Sequence, residues 1–179
     1  MSTRRMLESI EGEYLRYKKL GEDAMAQLDP GQLTAPGPGG TNSIAIIVWH
    51  VAGNFQSRFT DFLTTDGEKP WRKREEEFAD RHVTVGALLA KWEAGWKVLQ
   101  GALSALSDAD LEREVTIRQQ PLLVREALLR SLAHASYHVG QMVLTARAAK
   151  GAGWNFLSIP PGKSDEYNKA PTKEKPPKS

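Results

Sequence analysis

The sequence predicts an all-α fold, a four-helix up-and-down bundle, and three observations lead there. Four stretches of 20 to 28 residues carry apolar side chains at alternating spacings of three and four, the period of a helix buried on one face. Proline, glycine and capping residues fall between those stretches. The chain has 179 residues, enough for one domain with a sizeable core and too few for two comfortable ones.

The first helix is expected over about residues 3–28, where Leu7, Ile10, Tyr14, Tyr17, Ala24 and Leu28 share a face. Asp29-Pro30-Gly31 stops it, because proline lacks the amide hydrogen that a helix interior needs. After the PGPGG segment, Thr41, Asn42 and Ser43 offer N-caps to a second helix, with Ile44, Val48, Val51, Phe55, Phe59 and Phe62 inward and its end near Thr65. Residues 66–82 carry charges, a proline and two aromatics without a long apolar period. A connection this long reads either as a functional lid or as a solvated loop, and Trp71 either as a lid aromatic or as a pin to the body. A third helix begins near Thr84 with the stripe Leu88, Leu89, Trp92, Trp96, Leu99, Leu103 and Leu106. Residues 114–124 alternate weakly and suggest a short hairpin or an extended crossing. The fourth helix spans about residues 123–150, ended by Gly151 and Gly153. The bundle is therefore placed at residues 1–160, followed by a Lys/Pro-rich tail at 161–179 that is expected to be disordered.

Composition narrows the function. There are no cysteines, which removes disulfides and thiolate metal sites and fits a reducing cytoplasm. The N-terminus has no signal-peptide core and no stretch reaches membrane-spanning length, so a cytoplasmic protein without membrane contact is expected. The net charge is +2, and the tail supplies it with five lysines against three acids, leaving residues 1–160 formally neutral. A nucleic-acid-binding body should carry a basic excess, so no nucleic-acid partner is expected.

Three of the four histidines lie on the second and fourth helices. His134 and His138 are four residues apart in LAHASYHVG, which puts both side chains on one helical face, close enough to chelate one ion. The apolar stripe Val124, Leu128, Ala135, Met142 and Ala146 marks that side as inward. His50 sits in IIVWHVAG among apolar neighbours. In an up-and-down bundle the second and fourth helices face each other across the core. A lone buried histidine is most often a core residue bonded to a carbonyl. Three together cost several kcal/mol of desolvation unless something occupies their lone pairs, and a divalent cation does so. Haem is disfavoured, because two histidines one turn apart cannot clasp opposite faces of a macrocycle. A di-iron centre is disfavoured because paired Glu-x-x-His motifs are missing.

WHVAGN on the second helix together with LAHASYHVGQ on the fourth resembles the DinB/YfiT-like superfamily of metalloenzymes, over about residues 5–160. The phrases FTDFLTTDGEKPW, SLAHASYHVGQ and FLSIP resemble an uncharacterised bacterial branch of it. The resemblance implies a bundle of DinB/YfiT type, with His50, His134 and His138 as ligands of nickel, zinc or a similar divalent ion, often in a homodimer. Because the wider superfamily includes transferases and isomerases that use low-molecular-weight thiols, it also implies a small-molecule substrate.

Three protein ligands leave a coordination position open, as in catalytic rather than structural zinc sites. The expected activity is a metal-dependent hydrolase or a thiol S-transferase; the alternative is a metal-binding protein in which the ion only fixes the bundle. Asn54, one turn from His50, either holds a ligand or satisfies a buried backbone group. Arg58 either clamps an anionic substrate or makes a surface or interface salt bridge. Gln141, next along the histidine flank, either supports a histidine or binds substrate. Asp61 lies too far along the helix to act as general base, and His82 falls in the loop outside the motif. No catalytic side chain is assigned beyond the ion's own water or thiolate.

Overall fold

A computed structural model describes residues 4–175 of the chain. Its long helices are α1 (Arg5–Met25), α3 (Ile44–Phe59), α4 (Val85–Ser104) and α5 (Val124–Lys150), with short helices α2 (Pro30–Thr34) and α6 (Ser164–Tyr167). Strands β1 (Glu114–Ile117) and β2 (Gln120–Leu123) form an antiparallel hairpin between α4 and α5. Among the described residues no helix is long and apolar enough to cross a membrane.

The caps follow from side-chain chemistry. Ser43 accepts the Ile46 amide and Thr84 accepts the Ala87 amide, each satisfying an orphan donor of a first turn. Helix α3 ends at Phe59, earlier than expected. Asp61 takes φ 49°, and its carbonyl accepts the Thr64 and Thr65 amides in a turn. That turn returns Phe62 to the core, where its ring lies 5.1 Å from that of Phe59. Phe62 is thus buried although the helix ends before it.

The expected four-helix bundle forms, with one refinement in the sense of its helices. Tyr14 donates to the Leu128 carbonyl, and Gly21 lies against Met142, so α1 and α5 run the same way. Arg4 meets Leu103, Tyr14 meets Trp96 and Lys18 meets Glu93, so α1 and α4 are antiparallel. His50 meets His134 while Phe59 and Phe62 share a cavity wall with Ala127, so α3 and α5 are antiparallel. It follows that α3 and α4 run in the same direction. Parallel neighbours cannot be joined by a tight turn, which explains the length of residues 60–84: the chain must climb back beside α3 before α4 can start. The principal packings are α3 on α4 and α1 on α5, with α5 also on α3 and α4 on α1. The second and fourth long helices, expected across the diagonal, are therefore direct neighbours.

The core is aromatic at its centre. Tyr14, Phe55 and Trp96 meet edge to face at centroid distances of 4.8 to 6.3 Å, and Trp92 adds a further ring at 5.2 Å from Trp96. Helices α3 and α4 approach so closely that a Cβ at Gly95 would lie 2.6 Å from the Cα of Ala52. The inward stripes expected for α3 and α5 are buried throughout. On α4 the exception is Leu89, which is exposed.

Within the segment assigned to the tail, residues 161–175 include α6 and return to the body. The Tyr167 hydroxyl accepts the Thr172 and Lys173 amides, and Arg16 donates to the Lys173 carbonyl. The expectation for residues 176–179 lies outside the described residues.

Candidate metal centre

His50 is on the buried face of α3, and His134 and His138 are half-buried on the facing side of α5. The three rings converge through their Nε2 atoms. His134 Nε2 is 3.2 Å from His50 Nε2 and 3.2 Å from His138 Nε2. One ligand atom from each residue lies within 4.8 Å of the others. Two imidazole nitrogens held about 2.05 Å from a tetrahedral ion stand about 3.3 Å apart, so both short edges fit one shared cation.

The outer nitrogens decide which atoms face inward. Nδ1 of His50 is 2.9 Å from Glu77 Oε2. A carboxylate only accepts, so Nδ1 carries the hydrogen and, in the neutral ring, Nε2 presents its lone pair to the cluster. Nδ1 of His138 is 2.8 Å from Gln141 Oε1, which fixes its Nε2 in the same way. Nδ1 of His134 is buried without a hydrogen-bond partner. Without a cation, at most one hydrogen on His134 Nε2 can serve two facing lone pairs. Each polar atom left unsatisfied in such a place costs about 1–3 kcal/mol. The donor set fits a divalent transition-metal ion.

Burial holds the His134 pKa down to about 3, reinforced by the charges of His138, His50, Arg72 and Arg58. Burial likewise lowers His138, with His50 adding to the effect and the Gln141 hydrogen bond opposing it. Neutral imidazoles at ordinary pH are the form that ligates metal.

Glu77 and Arg72 belong to this site and were not singled out by sequence reasoning. The climbing connection makes a 3-10 turn at Arg74–Phe78 that lays Glu77 against Gly53 of α3. A Cβ at Gly53 would collide with the Glu77 carboxylate, so the glycine makes room for the contact. Arg72 clamps both Glu77 oxygens at 2.8 and 2.9 Å, and the pair is almost wholly buried. Burial works to raise the Glu77 pKa, but the His50 and Arg72 hydrogen bonds and the Arg72 charge outweigh it, and the pKa falls below the ordinary carboxylate value. One signal was legible: a metal-ligating histidine usually donates its second N–H to a carboxylate or carbonyl. Among Glu75, Glu76 and Glu77, however, local sequence does not distinguish the inward one.

A cavity of about 400 Å³ opens beside the histidines, lined by His50 and His134 and extending past Asn54 and Arg58. Arg58 donates to the Gly67 carbonyl and to Glu68 Oε2 at 3.1 Å, so its ion pair is within the chain. Burial lowers the Arg58 pKa, Glu68 opposes that, and the charges of Arg72 and Arg118 add to it. Asn54 is on the cavity wall, whereas Gln141 bonds the outer nitrogen of His138 and is not a wall residue. Trp71 is exposed, Asp61 sits in the turn after α3, and His82 is an exposed loop residue.

Fold and site together define a helical-bundle protein with a three-histidine cluster suited to a metal ion, open on one side to a cavity. Over residues 2–163 the chain matches the model of a family described as "Protein of unknown function (DUF1572)", and it belongs to that family. Neither the curated proteins nor the solved structures contain a match.

Proposed function

We propose that the chain is a metalloenzyme of DinB/YfiT type that holds one divalent transition-metal ion, nickel or zinc, between His50, His134 and His138 and acts on a small molecule. The observation that carries this reading is the convergence of three Nε2 atoms, two of them turned inward by hydrogen bonds at the opposite ring nitrogen. An ion there would supply Lewis acidity to a water, thiol or carbonyl. The chain's own residues do the rest. Glu77 and Gln141 orient two of the ligands, Arg72 holds Glu77, and Asn54 and Arg58 face the space a substrate would fill. No carboxylate lines that space, so hydrolysis would depend on the ion for activation, and transfer of a low-molecular-weight thiol is the other reaction that this arrangement suits.

The non-catalytic reading, an ion that only fixes the bundle, is less well supported. The aromatic core around Tyr14, Phe55 and Trp96 closes without the histidines, and the cluster has a cavity on one side. The test is elemental analysis of untagged protein beside His50→Ala and His134→Ala/His138→Ala variants. About one equivalent in the wild type and none in the variants is expected; no metal under any loading condition would overturn the proposal.

A homodimer is part of the same reading. Leu129, Tyr137 and Leu144 are exposed at spacings of eight and seven along the outer face of α5, an apolar stripe that a second copy could cover. Sedimentation of the wild type beside Tyr137→Glu should show a dimer that the variant loses; a monomeric wild type would remove the dimer from the proposal.

A further inference from the structure

The cavity beside the histidines has a lining of unusual charge. Five arginines contribute to it, Arg58, Arg72, Arg74, Arg118 and Arg130, and no aspartate or glutamate does. Behind them, Glu68 is shared by Arg58 and Arg118, Glu77 is held by Arg72, and Glu75 pairs with Arg74. Five guanidinium charges thus face three carboxylates, an excess of two positive charges before any ion is counted. Arg130 has no hydrogen-bond or ion-pair partner among the described residues. The residues 1–160 are formally neutral, so this excess is a local concentration rather than a share of a basic surface.

One of those charges is placed at a conformational cost. Arg118 and Gln119 form the two-residue turn of the β1–β2 hairpin with φ 54° and 61°, a left-handed conformation that such turns normally give to asparagine and glycine. Asp66 holds the turn by accepting the Arg118 amide at 2.9 Å and the Gln119 amide at 2.7 Å, and Gly67 donates to the Thr116 carbonyl. The hairpin is thereby pinned to the α3–α4 connection, with the Arg118 side chain at the cavity. Strain of this kind persists where surrounding structure enforces it, and it concentrates at ligand sites. Besides the arginines and histidines, the wall has an apolar part, Phe59, Phe62, Ile117 and Ala127, and two polar side chains, Asn54 and Ser131.

We infer that this cavity recognises a small organic anion, a carboxylate carried on an apolar body, and presents it to the histidine cluster. The proposal deepens the metal reading and takes from it only the place where reaction would occur. Guanidinium groups match a carboxylate through paired N–H donors, and in a concave site with low-dielectric walls their fields add. Arg130 is free to meet the anion, and Arg58 and Arg118, which share one glutamate, have donors left over. The phenylalanine and isoleucine side chains cover the apolar part, and the volume suits a small ligand.

The test uses 3-phenylpropionate and its neutral counterpart 3-phenylpropionamide, titrated calorimetrically into the full chain. Metal-loaded and metal-stripped samples are compared, with metal content measured for each. The acid should bind about tenfold or more tightly than the amide in both samples. Its affinity should fall with added salt. Arg130→Gln and Arg118→Gln should each remove most of the preference for the acid. Both side chains are exposed, and circular dichroism checks that the variants remain folded. Equal affinities for acid and amide, or no measurable binding of either, would overturn the inference. So would binding of the acid that needs the metal and ignores both arginines, since the ion would then be the anion's only receptor. Arginine-dependent binding in a chain that takes up no metal would support the inference while the metal reading failed.

Discussion

At the scale of single residues, the histidines matter less for their number than for what lies behind them. His50 would be an ordinary buried histidine if its outer nitrogen faced a backbone carbonyl and its inner one a packed methyl. Instead a carboxylate locked by Arg72 fixes its hydrogen on the outside. Loss of such a supporting carboxylate typically lowers metal affinity 10–100-fold. Glu77→Gln is therefore expected to weaken metal binding by about tenfold or more in a competition titration with a chromophoric chelator. Gly53→Ala should do the same from the other side of the contact, by displacing the carboxylate without altering its charge. Unchanged affinity in both variants would show that Glu77 does not support the ligand. The His134–His138 pair was identifiable from spacing, because the i,i+4 relation is a property of one helix, and His50 joined it through the expected facing of the second and fourth helices and the family resemblance. Glu77 was not, because its relation to His50 spans 27 residues and depends on the path of a loop.

At the scale of elements, the long 60–84 connection and the hairpin act together. The connection is long because α3 and α4 are parallel, and its return path delivers Glu77 to His50 and Asp66 to the hairpin turn. Backbone hydrogen bonds from Glu68 and Gln119 lead in holding the Asp66 pKa down, to about 2 from an ordinary 3.8. The folded-state value lies below the unfolded one, so the contribution of Asp66 is present in full above about pH 4 and lost as pH falls toward 2. Wild-type stability should accordingly decline through that range, and Asp66→Ala should flatten the decline while destabilising the hairpin at neutral pH. Denaturant melts of the two proteins between pH 2 and 6 would check this; parallel curves would deny Asp66 the role. The four helix boundaries were legible within a few residues because caps and breakers act locally. The end of α3 was not: no proline or glycine immediately precedes the turn at Asp61, and the buried site that Phe62 enters beyond it is supplied by the rest of the bundle.

At the scale of the whole molecule, stability and the proposed chemistry are separable. The core rests on Tyr14, Phe55, Trp92, Trp96 and the aliphatic stripes around them, none of which needs an ion. Chelation is therefore expected to leave the helical circular dichroism intact and to lower the melting temperature only by the lost binding energy. That is about 3–4 kcal/mol for an ion present at 100 to 1,000 times its dissociation constant. Complete unfolding on chelation would instead indicate a structural ion. The number of long helices, the faces they bury and the His134–His138 pair were legible in the sequence, because amphipathic period, capping and i,i+4 spacing are short-range properties of the chain; His50 reaches that pair only through the packing of α3 on α5. The parallel sense of α3 and α4, the glutamate and arginine behind His50, and the gathering of five arginines from two helices, the hairpin turn and the long connection around one cavity emerge with the folded chain. Those are long-range relations, set by how the helices choose neighbours when their apolar faces close on one another, and no local pattern records that choice.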